Sequence, residues 1–150
     1  MKNTNKNTYT LQDVRINVKI KLSALWASLM FLYIYADYFE MKAPGVIEKM
    51  TNLETPMGPV TPNLLVIFSV ILIIPSLMIF LSIFLKASFN KWLNVIVAGL
   101  WSLMSILLLT SLIGNEWHTF YVLYQAVELV VFGLIIRTAL TWPKDNVESH

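Results

Sequence analysis

A chain of 150 residues that is 57% hydrophobic and only 13% charged departs from soluble domains, where those shares run about 45–50% and about 25%. A single domain of this length has no core large enough to hide so much apolar surface, so its solvent is a bilayer. The net charge of +2 is too small to suggest a nucleic-acid partner, and the absence of cysteine excludes disulfides, thiol redox chemistry and cysteine-ligated clusters.

Ahead of the first apolar stretch, Val14, Ile16, Val18 and Ile20 alternate with Arg15, Asn17, Lys19 and Lys21. That period of two fits an extended lead-in, or an early helical turn whose lysines meet lipid phosphates, and both readings stay open. No small-x-small site follows the first apolar run, so a cleavable signal peptide is not expected. The first predicted span covers 22–39 and is interrupted only by Asp37 near its end. An outer loop over 40–62 follows, with an interfacial helix expected over 45–54 and then Pro56, Pro59 and Pro62. Thr61 and Pro62 read as an N-cap and a first-turn proline that open the second span, 63–85. Pro75 lies mid-span, bends the helix and leaves a carbonyl near Ile71 without its usual donor. A polar turn over 86–91 leads to the third span, 92–113. A second turn at 114–116 leads to the fourth, 118–142, which Trp142 and Pro143 close at the interface.

Hydrocarbon offers nothing to satisfy bare amides, so each span is helical. The short turns make neighbouring spans antiparallel. The expected fold is therefore all-α: an up-down bundle of four transmembrane helices forming one domain over 1–150. Nine of the eleven lysines and arginines fall on one side: Lys2, Lys6, Arg15, Lys19, Lys21, Lys86, Lys91, Arg137 and Lys144. The other side has Lys42 and Lys49. The positive-inside rule then places both termini in the cytoplasm.

Glu128 is the most informative residue. It lies ten residues into the last span, about 15 Å deep at the helical rise and close to the bilayer midplane. A carboxyl there faces a bundle interior or a water-filled cavity rather than lipid. Tyr121, Tyr124, Gln125 and Glu128 recur at i, i+3, i+4 and i+7, a single helical stripe that His118 continues outward. The bland alternative is interhelical glue, with Glu128 hydrogen-bonded to one neighbour. In the first span Met30, Tyr33, Asp37 and Glu40 share another stripe. Asp37 is expected level with His118, either in an aromatic belt or on a cavity, open to the outside, that Tyr33, Asp37, Tyr121, Gln125 and Glu128 line together. Asp37, Glu40, Glu116 and His118 contain metal-ligating types, but carboxylates at an interface are common, and neither a metal nor another cofactor is expected. Ser69 and Ser76, and Ser102 and Ser105, read as small residues that permit close packing. Arg137 is a snorkelling residue on the helix face opposite Glu128. No GxSxG elbow, HExxH helix or glycine-rich phosphate loop occurs, so nucleophilic catalysis finds no support. A membrane enzyme acting on a lipid or quinone is a third reading, after solute passage and a scaffold role.

Lys21, Leu22, Ser23, Ala24, Leu25 and Trp26, then Tyr33, Ile34, Tyr35, Ala36 and Asp37, then Pro44 and Gly45, resemble an uncharacterised family of small bacterial four-helix membrane proteins. Tyr124, Glu128 and the closing Ala139, Leu140, Thr141, Trp142 and Pro143 are similar to it as well. The resemblance covers the chain from about Lys21 onward and implies a bacterial inner-membrane location. The architecture also broadly resembles DoxX-type proteins, some of them linked to quinone or redox complexes. Small multidrug transporters place their membrane glutamate in the first helix, and this chain does not.

The expected function is to bind or pass a small solute or ion through a polar interior. Its site residues are Glu128 as protonatable switch, Asp37 as outer cation attractor, and Gln125, Tyr121, Tyr124, Tyr33 and His118 as donors or walls. The alternative is an accessory subunit, or a lipid- or quinone-binding scaffold of a larger membrane complex. The expected partners are the lipid bilayer and a second copy or a heteromeric membrane protein, because four helices rarely enclose a full translocation path.

Overall fold

The computed structural model describes residues 14–55, 58–112, 114 and 116–143. Lys2, Lys6, Pro56, Asn115 and Lys144 lie outside them. Asn17 begins the first helix, α1 (Val18–Glu40), by accepting the Lys19 amide at 2.9 Å on its side chain. Residues 14–17 lead in without helical structure. The alternating stretch is thus split: no regular structure ahead of the cap, helix after it, four residues earlier than the hydrophobicity alone suggested. In the loop, Gly45 at φ 76° introduces α2 (Val46–Thr51), shorter than the helix expected over 45–54. That left-handed φ favours glycine. Two-residue strands, β1 (Glu54–Thr55) and β2 (Gly58–Pro59), pair antiparallel.

Thr61 caps α3 (Pro62–Phe84) as its sequence indicated, accepting the Leu64 amide at 3.2 Å. The third long helix, α4 (Ala87–Leu112), begins five residues before the expected start at 92. The polar turn over 86–91 is accordingly corrected: only Leu85 and Lys86 link the helices, and Asn90 and Lys91 belong to the first turns of α4. A 3-10 turn (Glu116–His118) then leads to α5 (Thr119–Leu140). Among the described residues α1, α3, α4 and the segment Glu116–Leu140 are long and apolar enough to cross a membrane.

Side-chain pairings fix the topology. Ser76 meets Met30 and Lys19 meets Ile83, so α3 runs antiparallel to α1. Ser105 meets Gln125 and Lys91 meets Leu140, so α5 runs antiparallel to α4. Trp26 packs on Phe132 and Phe39 on Phe120, which sets α5 antiparallel to α1 as well. The four long helices go up and down in turn, with α1 and α4 on a diagonal. Three sides of the square are tightly packed: α1 on α3, α1 on α5 and α4 on α5. The fourth, between α3 and α4, is loose although only two residues join those helices.

The buried apolar core is small: Leu22, Trp26, Leu29, Met78, Val97, Ala98, Phe132, Ile135 and Ala139. Large apolar side chains such as Leu65, Val66, Ile67, Ile96 and Val130 point outward instead. Water would not tolerate that surface, and a bilayer does. At the end of the bundle that carries both termini, Lys19 Nζ donates to the Ile83 carbonyl at 3.1 Å and Lys91 Nζ to that of Leu140 at 3.4 Å. Each places a positive charge at a helix C-terminus, where the macrodipole favours it.

That end is tied by a polar clasp. Trp26 Nε1 donates to Asn94 Oδ1 at 2.7 Å, and Ser82 Oγ donates to the same oxygen at 3.3 Å. Asn94 Nδ2 donates to the Asn90 carbonyl at 2.9 Å and to Asn90 Oδ1 at 2.7 Å. Asn90 Nδ2 donates to the Ser82 carbonyl at 2.6 Å. The edge of the Trp26 ring meets Phe132 with centroids 6.2 Å apart, which brings in α5. Burying four polar side chains is tolerable here because their donors and acceptors are matched within the cluster.

Candidate functional site: a polar cavity among four helices

Toward the loop end the same bundle opens. A cavity of about 120 Å³ is lined by Tyr33 and Asp37 of α1, Ile71 and Leu72 of α3, Trp101, Met104, Ser105 and Leu108 of α4, and Tyr121, Gln125 and Glu128 of α5. All four long helices contribute. Glu128 stands nine residues from the start of α5, about 14 Å along the axis. Its side chain is 1% exposed and Gln125 is 2% exposed, whereas Tyr33 and Tyr121 are half-buried and Asp37 is exposed. Polarity therefore runs from an open carboxylate at the loop end, past two phenols, to an enclosed carboxyl group.

The deep end is short of donors. Ser105 Oγ donates to Gln125 Oε1 and lies 3.4 Å from Glu128 Oε2, a long contact. A serine hydroxyl carries one proton, so it cannot serve both acceptors at once. Turned end for end, the Gln125 amide would donate to Ser105 and release that proton to Glu128. In either arrangement Glu128 Oε1 is buried with no hydrogen-bond partner. An unmet buried acceptor costs about 1–3 kcal/mol, more for a charged group. The cavity beside it has room for what would meet it: a few waters at about 30 Å³ each, a cation, or a head group with donors.

Of the seven residues read from the sequence, Glu128, Gln125, Tyr121, Asp37 and Tyr33 line this one cavity. Tyr124 does not; its ring sits 6.4 Å from that of Phe39 on the α1–α5 seam. His118 is also outside the lining. It ends the 3-10 turn that enters α5, half-buried, with Nδ1 buried and unpartnered. Among the described residues no three of His, Cys, Asp and Glu converge as metal ligands would.

Residues 11–149 match the family of unknown function DUF6326. The chain belongs to this family. No curated protein and no solved structure matches it. The uncharacterised family expected from the sequence thus has a counterpart over most of the chain, and the comparisons give no link to DoxX-type proteins.

Sequence reasoning missed several lining residues of this family member. Ser105 was read as a packing residue, yet it brings the hydroxyl that α4 contributes to the cavity. Ser102, three residues before it, instead donates to the Gly99 carbonyl at 2.9 Å. Leu72, Trp101, Met104 and Leu108 were not singled out, since each is one of many apolar residues in its helix. Ile71 is the residue four before Pro75, where the proline frees a carbonyl. That pairing was legible; its placement on a cavity was not.

Proposed function

We propose that this chain is a multi-pass protein of the bacterial inner membrane, both termini cytoplasmic, that binds or passes a small cationic solute through the cavity centred on Glu128. One observation carries the reading: Glu128 is buried, with one carboxylate oxygen unmatched, on a cavity large enough for a ligand. A charge at mid-bilayer costs at least about 2.5–3.5 kcal/mol on insertion scales, and intramembrane carboxylates usually serve ion or substrate paths. The sign of the solute follows from the lining. It includes two carboxylates and neither lysine nor arginine, so an anion would be repelled. Tyr33, Tyr121 and Trp101 add aromatic rings to the lining, a side-chain type whose π-face attracts cations. Asp37, exposed toward the loop end, would gather cations, and Glu128 would exchange a proton for the bound one. The clustering of Lys19, Lys21, Lys86, Lys91 and Arg137 at the termini end supports the cytoplasmic assignment.

The test is titration calorimetry on the full chain in nanodiscs, with sodium, potassium, methylammonium and tetramethylammonium as probes. One of them is expected to bind, and Glu128→Gln to weaken it at least tenfold. Absence of binding by all four, or equal binding by the variant, would overturn the reading. A second reading, a scaffold in a larger complex, is favoured by the exposed apolar walls that α3 and α4 give the cavity. A stoichiometric heteromeric partner that covers Leu72 and Leu108 on isolation from native membrane would support it.

A further inference from the structure

The cavity has two kinds of wall. Its polar groups come from α1 and α5, with Ser105 of α4, while α3 contributes only Ile71 and Leu72. Leu72 is 41% exposed, Met104 39% and Leu108 47%, although each also lines the cavity. These side chains therefore border the interior on one side and the lipid-facing surface on the other. They stand on the two helices whose mutual packing is loose.

The looseness has a structural origin. Helices α3 and α4 are tied at the termini end, where the Asn90 side chain bonds the Ser82 carbonyl and Ser82 bonds Asn94. Beyond the clasp α3 leans on α1 instead, and no hydrogen bond joins α3 to α4 among the described residues of their loop-end halves. The seam between α3 and α4 is thus tied at the clasp, and loopward of it the half-exposed Leu72, Met104 and Leu108 border it. Its edges are apolar, so lipid tails and not water are its natural neighbours. The cavity, about 120 Å³, is half open, so it seats a small head group and lets the remainder of a larger ligand extend along that seam.

We infer that the cavity is loaded sideways from the bilayer, through the seam between α3 and α4, and that its ligand is an amphiphilic amine. The ammonium head sits among Glu128, Tyr33 and Tyr121, and the alkyl or aryl tail passes between Leu72 and Leu108 into the lipid. This rests on the cation reading of the same cavity, and it adds the route and the chemical class of the ligand.

The chain has no cysteine, so one introduced thiol reports access without background. Ser105→Cys places it inside the cavity, and Met104→Cys is the second reporter should the first fail to fold. In liposomes each is exposed to two thiosulfonates of the same reactive group: neutral octyl methanethiosulfonate, which dissolves in the bilayer, and the quaternary ammonium ethyl reagent, which stays in water. Relative to an unhindered thiol, the octyl reagent is expected to react at least tenfold faster. Adding Leu72→Trp or Leu108→Trp should slow it at least fivefold. Faster reaction with the water-soluble cation, no reaction with either reagent in a chain that reacts once denatured, or indifference to both tryptophans would overturn the entrance. Dodecylammonium binding, measured by calorimetry, checks the ligand class and should exceed methylammonium binding at least tenfold. Lost cation binding with a preserved rate ratio would sink the solute reading and the amine class with it, and leave the sideways route standing. Retained cation binding with the water-soluble reagent faster would sink the sideways route alone.

Discussion

Among the described residues two polar clusters are buried, and they differ in how their donors and acceptors match. In the clasp at the termini end, Trp26, Ser82, Asn90 and Asn94 match their donors to acceptors within the cluster. At the loop end Ser105, Gln125 and Glu128 share a single hydroxyl proton among three acceptor oxygens, and a cavity adjoins the oxygen left over. Both sit in the same apolar bundle, the clasp joining α1, α3 and α4 and the loop-end cluster joining α4 to α5. A matched cluster without a cavity only holds helices together. An unmatched one beside a cavity is costly unless something from outside the chain completes it, so imbalance, not burial, separates a binding site from glue.

The largest expected effect tests the matched side. Asn94→Leu removes the acceptor for Trp26 Nε1 and Ser82 Oγ and the donor for Asn90. Interhelical hydrogen bonds in membranes contribute about 0.6 kcal/mol on average and up to about 1.7, and stranded donors cost about 1–3 kcal/mol. Unfolding in mixed micelles with increasing sodium dodecyl sulfate should show a loss of about 3 kcal/mol. The second effect has the opposite sign. Glu128→Gln replaces a group that can be charged by a neutral isostere with a donor of its own, so the same assay should show unchanged or higher stability, by about 1 kcal/mol. Equal losses in the two variants would erase the distinction.

What the sequence made legible follows the same division. Glu128 stood out because a carboxyl in an apolar helix restricts where that helix face can point. The stripe through Tyr121 and Gln125 then led to a cavity lining the structure contains. The four long helices were legible from length and apolarity, to within five residues at their ends. Asn94 gave no comparable signal. An asparagine is tolerated in a span without a charge penalty, and its partner Trp26 lies 68 positions away. The start of α4 was misplaced for a related reason: Asn90 and Lys91 look like turn residues until the asparagine is seen buried against Ser82. Leu72 was illegible, because in the uniformly apolar α3 nothing reveals which leucine meets a cavity and which meets lipid. Leu108 follows Ser105 by three residues on the same face of α4, a hint that went unused because Ser105 was read as packing.

A third effect sharpens the unmatched side through pH. Glu128 is faced by Tyr33 and Asp37 of α1, by Tyr121 on its own helix, and by Ser105, Trp101, Met104 and Leu108 of α4, none of which ionises; α3 offers only Ile71 and Leu72. Glu40 and His118 lie farther out at the loop end. A proton and a cation therefore compete for the carboxylate. Cation affinity should rise with pH, by at most about tenfold per unit where one proton is exchanged for one cation. In Glu128→Gln the dependence should flatten, leaving a shallow slope from Asp37. A slope unchanged in that variant would move the competition to Asp37.

The smallest effect concerns Tyr33, whose ring and hydroxyl play separate parts. Tyr33→Phe keeps the aromatic face toward the cavity and removes only the phenol, which is half-buried beside Glu128. If the ring alone attracts the solute, affinity should stay within twofold of wild type. If the hydroxyl accepts a hydrogen bond from an ammonium head, its loss should cost about 1 kcal/mol, a five- to tenfold drop measured by calorimetry. The drop is expected for methylammonium and not for tetramethylammonium, which has no N–H to donate. Stability should move by less than about 0.5 kcal/mol, because no hydrogen bond within the clasp depends on this residue. A matched fall for both ammonium ions would mean that the variant disturbs the cavity's shape, and Tyr33 would then be packing rather than a contact.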